Sequence, residues 1–171
     1  MTHAYRGTTV FVSIVLFVVG LVVGFKLLTA SADTFDAAPT CESRTIAEGE
    51  KLTSDLVTVN VYNASQRAGL ANRVGINLQR RGFLAGTVAN STSEVQPDAV
   101  AILTDDRDDP RVKLVAQQFE DVEFSEPDIK IADGVTVIVG DAYEELVKAP
   151  RDIETDREIS VCVPSVDVES S

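Results

Sequence analysis

VTVNVYNASQRAGLANRVGINLQRRGF, residues 57–83, changes its hydrophobic period once, and that change decides the fold. Residues 56–62 alternate apolar and polar side chains around β-branched Val and Thr, the pattern of a strand. Residues 63–68 are a polar loop. Over residues 69–81 the period becomes helical: Leu70, Ala71, Val74, Gly75 and Leu78 share one face, and Arg73, Asn77 and Arg80 the other. Gly82 stands where a helix takes a left-handed C-cap, behind two arginines that suit the dipole. Residues 83–89 return as a strand.

Outward from this unit the chain repeats the alternation. Residues 90–98 are turn-rich, and residues 99–103 (AVAIL) form a short apolar strand. Asp105, Asp106, Asp108 and Asp109 precede Pro110, an acidic N-cap with proline at the first helical position. Val112, Val115, Ala116 and Phe119 give that helix an apolar stripe. A short piece at 122–124 leads to a loop through Pro127, then VTVIV at 135–139, apolar enough for a central strand. Gly140-Asp141 turns into a short helix over 142–148, ended by Pro150. The expected fold is an α/β two-layer sandwich, βαββαβ in the ferredoxin-like (split-βαβ) arrangement, with both main helices on one face and a short C-terminal helix.

Upstream, residues 7–25 carry no charged side chain. A helix of that length spans roughly 28 Å, against a hydrocarbon core of about 30 Å. Arg6 and Lys26 bracket it, so a single-pass anchor is expected. The resulting layout is a cytoplasmic tail at 1–7, a transmembrane helix at 8–28, a linker at 29–54, the α/β domain at 55–150 and a tail at 151–171. A cleaved signal peptide ending at Ala30-Ser31-Ala32 is the competing reading. Gly20 and Gly24 form a G-x-x-x-G pair that lets two anchors pack closely, which makes a homodimer one expected partner.

The chain has 15 Lys+Arg and 27 Asp+Glu. Every acid follows Ala32, and Arg6 and Lys26 precede or end the anchor, so the part after Ala32 carries a formal charge of −14. Such a surface lacks the basic patch that displaces counterions, which argues against nucleic acid. Cys41 and Cys162 flank the domain, and a disulfide between them closes a loop worth about 5 kcal/mol in the chain-entropy model. Such bonds persist outside the cytosol, so the domain is expected to be extracytoplasmic with the N-terminus inside. Two unpaired thiols are the alternative. No C-x-x-C motif is present.

From Val57 to Phe83 the sequence resembles the LytR C-terminal domain family. The resemblance lies in the strand residues Val59 and Val61 leading to Asn63, in Gly69-Leu70-Ala71 opening a helix, and in Leu78, Gly82 and Phe83 closing it. Val137-Ile138-Val139-Gly140-Asp141 resembles the family's closing strand and turn. The glycine often found after the family's Asn is missing here. The family occurs behind a LytR-CpsA-Psr phosphotransferase domain or alone behind one membrane helix. The resemblance implies an actinobacterial cell-envelope protein contributing to wall integrity and virulence, without an assigned chemistry.

Catalysis has few groups to draw on. His3 is the one histidine, and it falls on the cytoplasmic side, so no Ser-His-Asp or Cys-His set can form outside. No cofactor and no enzymatic activity are expected. Asp105, Asp106, Asp108 and Asp109 are oxygen-rich, but an EF-hand started at Asp106 would need Gly and Glu where Arg111 and Gln117 stand. No metal is therefore expected, and these acids read as a helix N-terminus. Asn63, Ser65, Gln66 and Arg67 are candidates for contacting a glycan or protein partner, with a self-capped turn as the other reading. Arg73 and Arg80 make a basic helical stripe. The functional expectation is an envelope interaction module; a peptidoglycan- or glycan-binding accessory to wall-polymer attachment is the alternative.

Overall fold

The computed structural model describes residues 17–21, 41–130 and 132–164. The chain divides into two compact units, Met1–Thr40 and Cys41–Ser171. In the first, residues 17–21 are helical, with Phe17, Val18, Val19 and Leu21 exposed. Gly20 has open space where a Cβ would be added. The rest of the expected anchor over 8–28, Gly24 included, lies outside the described residues. Among the described residues no helix is long and apolar enough to cross a membrane.

The second unit is a mixed α/β fold. Its elements are β1 (Cys41–Ile46), β2 (Lys51–Thr53), a 3-10 turn (Ser54–Leu56), β3 (Thr58–Asn63), α1 (Leu70–Arg80), β4 (Leu84–Asn90), β5 (Val100–Leu103), α2 (Pro110–Ala116), β6 (Glu123–Ser125), β7 (Val135–Val139), β8 (Asp152–Glu154) and β9 (Ile159–Pro164). One five-stranded sheet runs in the order β4-β3-β7-β5-β6. In it β3 is parallel to both β4 and β7, β7 is antiparallel to β5, and β5 is parallel to β6.

This order replaces the expected ferredoxin-like arrangement. In a split βαβ another strand separates the two parallel strands of each unit; here β3 and β4 are direct neighbours, and so are β5 and β6. The expected hairpin-like step from β4 to β5 is absent, because β3 and β7 lie between them. The cause is burial. All five residues of β7 and all four of β5 are buried, so both strands need neighbours on either side. The three residues of β6, read from sequence only as a short piece, supply the second edge.

Both helices pack on one face of the sheet. Leu70, Ala71, Val74 and Leu78 of α1 join Val112, Leu114 and Val115 of α2 in one core with Val59, Val61 and Val137. On the other face Ala101, Leu103 and Ile138 are covered by Val95 and Ile129 from connecting loops. Asp128 ties those loops together, accepting from Ser93 Oγ (2.7 Å) and Glu94 N (2.6 Å). Inside the sheet, buried Asn60 secures an irregularity of register opposite β4: its Oδ1 accepts from Thr87 N (2.8 Å) and its Nδ2 donates to Asp133 O (3.0 Å).

Local capping follows the sequence. At the end of α1, Gly82 N donates to Gln79 O (2.9 Å) and Phe83 N to Leu78 O (3.2 Å), the Schellman pattern. Gly82 holds φ at +98°, and a Cβ there would lie 2.6 Å from Ser54 Oγ. Ser54 Oγ in turn donates to Arg81 O. At the start of α2, Asp109 Oδ1 accepts from Arg111 N (2.8 Å) and from Arg111 Nε (3.0 Å). Burial pushes the Asp109 carboxyl upward, but the Arg111 bonds and charge outweigh it and hold the pKa below the ordinary value.

A depressed native pKa means that the unfolded chain takes up the proton first. The Asp109 contribution is therefore full above the unfolded value of about 3.9 and is lost as pH falls through the lower native value. Asp109→Ala is expected to cost about 1 kcal/mol at pH 7. The gap from wild type should close in acid, which urea denaturation at pH 7 and pH 3 measures.

Two terminal ladders complete the unit, so it begins at Cys41 and not at residue 55. β1 pairs antiparallel with β9 and β2 with β8. Ile46, Leu52, Ile159 and Val161 carry this pair of ladders into the helix-side core. With α2 only seven residues long, that face needs the extra cover. Buried Thr155 stitches the ladders, its Oγ1 donating to Ala47 O (2.6 Å) and lying 2.9 Å from Glu50 O. Register puts Cys41 opposite Pro164 and Cys162 opposite Ser43, so the cysteine positions are diagonal neighbours. Among the described residues no cysteine is free.

The expected helix over 142–148 is not formed; Ala142 belongs to a turn and residues 143–148 have no regular secondary structure. Its backbone groups are claimed by residues outside the segment. Arg81 donates to Leu146 O (3.0 Å) and Val147 O, Gln118 Nε2 to Pro150 O (2.9 Å), and Val147 N to Gln118 O (3.0 Å). In a helix Val147 N would donate to Tyr143 O; here it goes to Gln118 O instead, and Tyr143 O accepts from Arg67 (2.6 Å).

Candidate functional site

The candidate site lies where β3 and β7, parallel neighbours, both end, the position at which α/β sheets commonly open a crevice. The loop after β3 and the turn after β7 meet there. Ala64 N donates to Val139 O (2.9 Å), and Gln66 N to Asp141 Oδ1 (3.0 Å). The candidate side chains fold back on this framework. Asn63 Oδ1 accepts from Ser65 N (3.1 Å) and Ser65 Oγ (2.7 Å), while its Nδ2 donates to Arg67 O (3.0 Å). Ser65 Oγ accepts from Arg67 N (3.1 Å). The Arg67 guanidinium donates to Tyr143 O (2.6 Å) and Asp141 O (3.4 Å). Asn63, Ser65 and Arg67 thus shape a turn and clamp it to the 141–143 segment. The Gln66 side chain is exposed.

Beside this clamp is a cleft of about 580 Å³. Six carboxylates line it: Asp98, Glu120, Asp121, Glu123, Glu144 and Glu145. Phe119 and Tyr143, both buried, line it too and pack edge to face with centroids 6.1 Å apart. Burial pushes the Tyr143 phenol above its ordinary value. The rim is fixed by Gly140 N to Ala99 O and Ala142 N to Asp98 O, both 2.8 Å. Among the described residues no three His, Cys, Asp or Glu side chains converge on a metal-sized point. Chemically the cleft favours cationic groups, such as the side chains of a basic segment, and disfavours phosphate.

The family model described as "LytR cell envelope-related transcriptional attenuator", LytR_C, matches residues 56–143, just over half of the chain. The chain belongs to the LytR_C family. Among solved structures it is similar to the soluble domain of a conserved hypothetical secreted protein from Mycobacterium marinum, at 23% identity and a TM-score of 0.48, over 60% of this chain and 69% of that one. No curated protein matches it.

The other expected site residues of this LytR_C domain lie apart from the clamp. Arg73 and Arg80 are exposed on α1, and neither pairs with a carboxylate among the described residues. The aspartates before α2 are largely engaged. Asp106 pairs with Arg157 (2.9 Å), Asp108 lies 3.5 Å from Lys113, and Asp109 is bound by Arg111; Asp105 is exposed. Sequence reasoning missed the cleft, whose only linear signal is the acidic pairs Glu120-Asp121 and Glu144-Glu145, more than twenty residues apart. It also missed Arg81 and Gln118, which fasten the segment behind Tyr143; a mid-domain arginine next to a C-cap glycine looks like helix-dipole compensation.

Proposed function

We propose that this chain is a single-pass, membrane-anchored, extracytoplasmic module without catalytic activity, contributing to cell-wall and envelope integrity in an actinobacterium through protein or wall contacts. Its layout of apolar run, linker, LytR_C domain and flanking cysteines resembles that of the mycobacterial envelope integrity protein Cei. One observation carries the reading. The polar side chains that a small-ligand or catalytic loop would offer, Asn63, Ser65 and Arg67, are bonded to the chain's own backbone and to one another. What remains for recognition is charged outer surface. Family membership supports the envelope setting, and the ladder of β1 with β9 supports a Cys41–Cys162 bond in an oxidising compartment.

Proximity labelling in the host from an enzyme fused to the C-terminus tests this reading. Envelope proteins are the expected set; a cytosolic set overturns both side and function. Retention of the membrane-extracted chain on insoluble peptidoglycan would shift the assignment to the glycan-binding accessory.

A further inference from the structure

Several acids of the domain are matched with bases. Asp106 pairs with Arg157, Asp109 with Arg111, Asp152 with Lys51 and Asp156 with Lys113. The cleft beside the clamp differs. Asp98, Glu120, Asp121, Glu123, Glu144 and Glu145 line its volume of about 580 Å³, and no Lys, Arg or His stands among the lining residues. None of these carboxylates enters an ion pair among the described residues. Like charges gathered around one recess repel one another and focus their field into it.

The wall also holds an unanswered polar group. Tyr143 lines the cleft and is 4% exposed, and its hydroxyl is buried without a hydrogen-bond partner among the described residues. Glu145, another lining residue, acts on that phenol electrostatically, as do Arg67, Arg73 and Arg81. Arg67 and Arg81 give their N–H groups elsewhere, to backbone oxygens between Asp141 and Val147 and to Gln118 Oε1. A buried hydroxyl left unpaired costs free energy, which a newly arrived hydrogen-bonding group recovers.

We propose that the cleft is the docking groove for a basic segment of a partner polypeptide. The carboxylates are dispersed, since no three of them converge on a metal-sized point. That spread suits several cations carried on one chain better than a single ion. Between the acids, Phe119 and Val147 offer apolar wall on which the methylene stems of Arg or Lys can lie. The Tyr143 hydroxyl needs a partner, and a main-chain amide or carbonyl supplies one that a bare cation lacks. A second copy of this chain, with a formal charge of −14 after Ala32, is repelled. The assignment deepens the interaction-module reading and rests on it.

Fluorescence anisotropy on the full-length chain in detergent, at about 0.15 M salt, provides the test. The probe is a labelled, acetylated tetra-arginine amide, and the competitor is spermine, which has the same charge and no main chain. Glu120→Gln, Asp121→Asn, Glu144→Gln and Glu145→Gln together should weaken peptide binding about tenfold. Glu94→Gln, Asp105→Asn, Glu126→Gln and Glu154→Gln remove the same charge from exposed positions outside the cleft, and should change it less than about twofold. Tyr143→Phe should weaken it about threefold without lowering the melting temperature, because the hydroxyl removed has no partner in the free chain. Circular-dichroism melts verify that each variant folds. Absence of binding overturns the proposal, as do equal effects from the two carboxylate sets or a Tyr143→Phe chain that binds like wild type. Spermine displacing the peptide at equal concentration overturns the choice of a polypeptide. Any of these failures beside an envelope set from proximity labelling leaves the module reading standing; a cytosolic set overturns both.

Discussion

Gly140→Ala is expected to lower the melting temperature of the folded unit by about 10 °C, a loss of about 3 kcal/mol. An alanine Cβ would clash with Pro97 O and Asp98 O. Both contacts are backbone, so no side chain can swing away to relieve them. The loop cannot withdraw freely either, because Gly140 N and Ala142 N hold Ala99 O and Asp98 O at 2.8 Å. Relief requires breaking those two bonds or displacing the end of β7, which is buried along its whole length. Gln66→Ala, an exposed change on the adjoining loop, should stay within about 0.5 kcal/mol. Thermal melts followed by circular dichroism compare the two. A Gly140→Ala protein that melts like wild type would mean that Pro97 and Asp98 do not hold the cleft's rim.

Arg81→Ala should cost about 3 kcal/mol in urea denaturation. The guanidinium satisfies Gln118 Oε1 (2.8 Å), Leu146 O (3.0 Å) and Val147 O. Gln118 is fully buried, and its amide nitrogen is already committed to Leu114 O (3.2 Å) and Pro150 O (2.9 Å). Truncation leaves the side-chain oxygen of fully buried Gln118 without its donor, and that desolvation is the main cost. Arg81→Lys should recover only part of it, since an ammonium does not reproduce the planar fork that reaches three oxygens. Hydrogen exchange localises the effect: the Val147 amide should exchange much faster while amides of β7 keep their protection. Uniform loss across the domain would contradict a local fastening role.

Local order was readable from the chain and global order was not. The strand, loop, helix and left-handed cap over 57–83 are set by neighbours in sequence, and each has a direct physical signature. The same holds for Asp109-Pro110 opening α2. Strand order depended instead on a competition among Val100–Leu103, Val135–Val139 and the short Glu123–Ser125 for interior positions, which periodicity does not rank. The terminal ladders pair residues about a hundred positions apart, Lys51 with Glu154 for example. Three-residue strands carry no usable period. The 142–148 segment has helix-forming composition, but its carbonyls answer to Arg67 and Arg81 and its Val147 amide to Gln118 O instead.

The polar loop was legible in identity and ambiguous in use. Asn63, Ser65 and Arg67 are residue types that serve a ligand or a turn equally well, and only the bonds to Asp141 and Tyr143 tell which backbone they engage. The carboxylate cleft had no single stretch to announce it. It gathers side chains from the loop before β5, the loop after α2, β6 and the segment after β7.

The six-rung pairing of β1 with β9 brings the first and last strands of the folded unit side by side, Cys41 across from Pro164. Tension applied between the two ends therefore meets that ribbon first and peels it rung by rung, like a zip fastener, while the five-stranded sheet stays outside the path of the load. A covalent tie between the ribbon's two arms would stop the peeling near its outermost rung, so the mechanical strength of the whole unit would be decided at its seam.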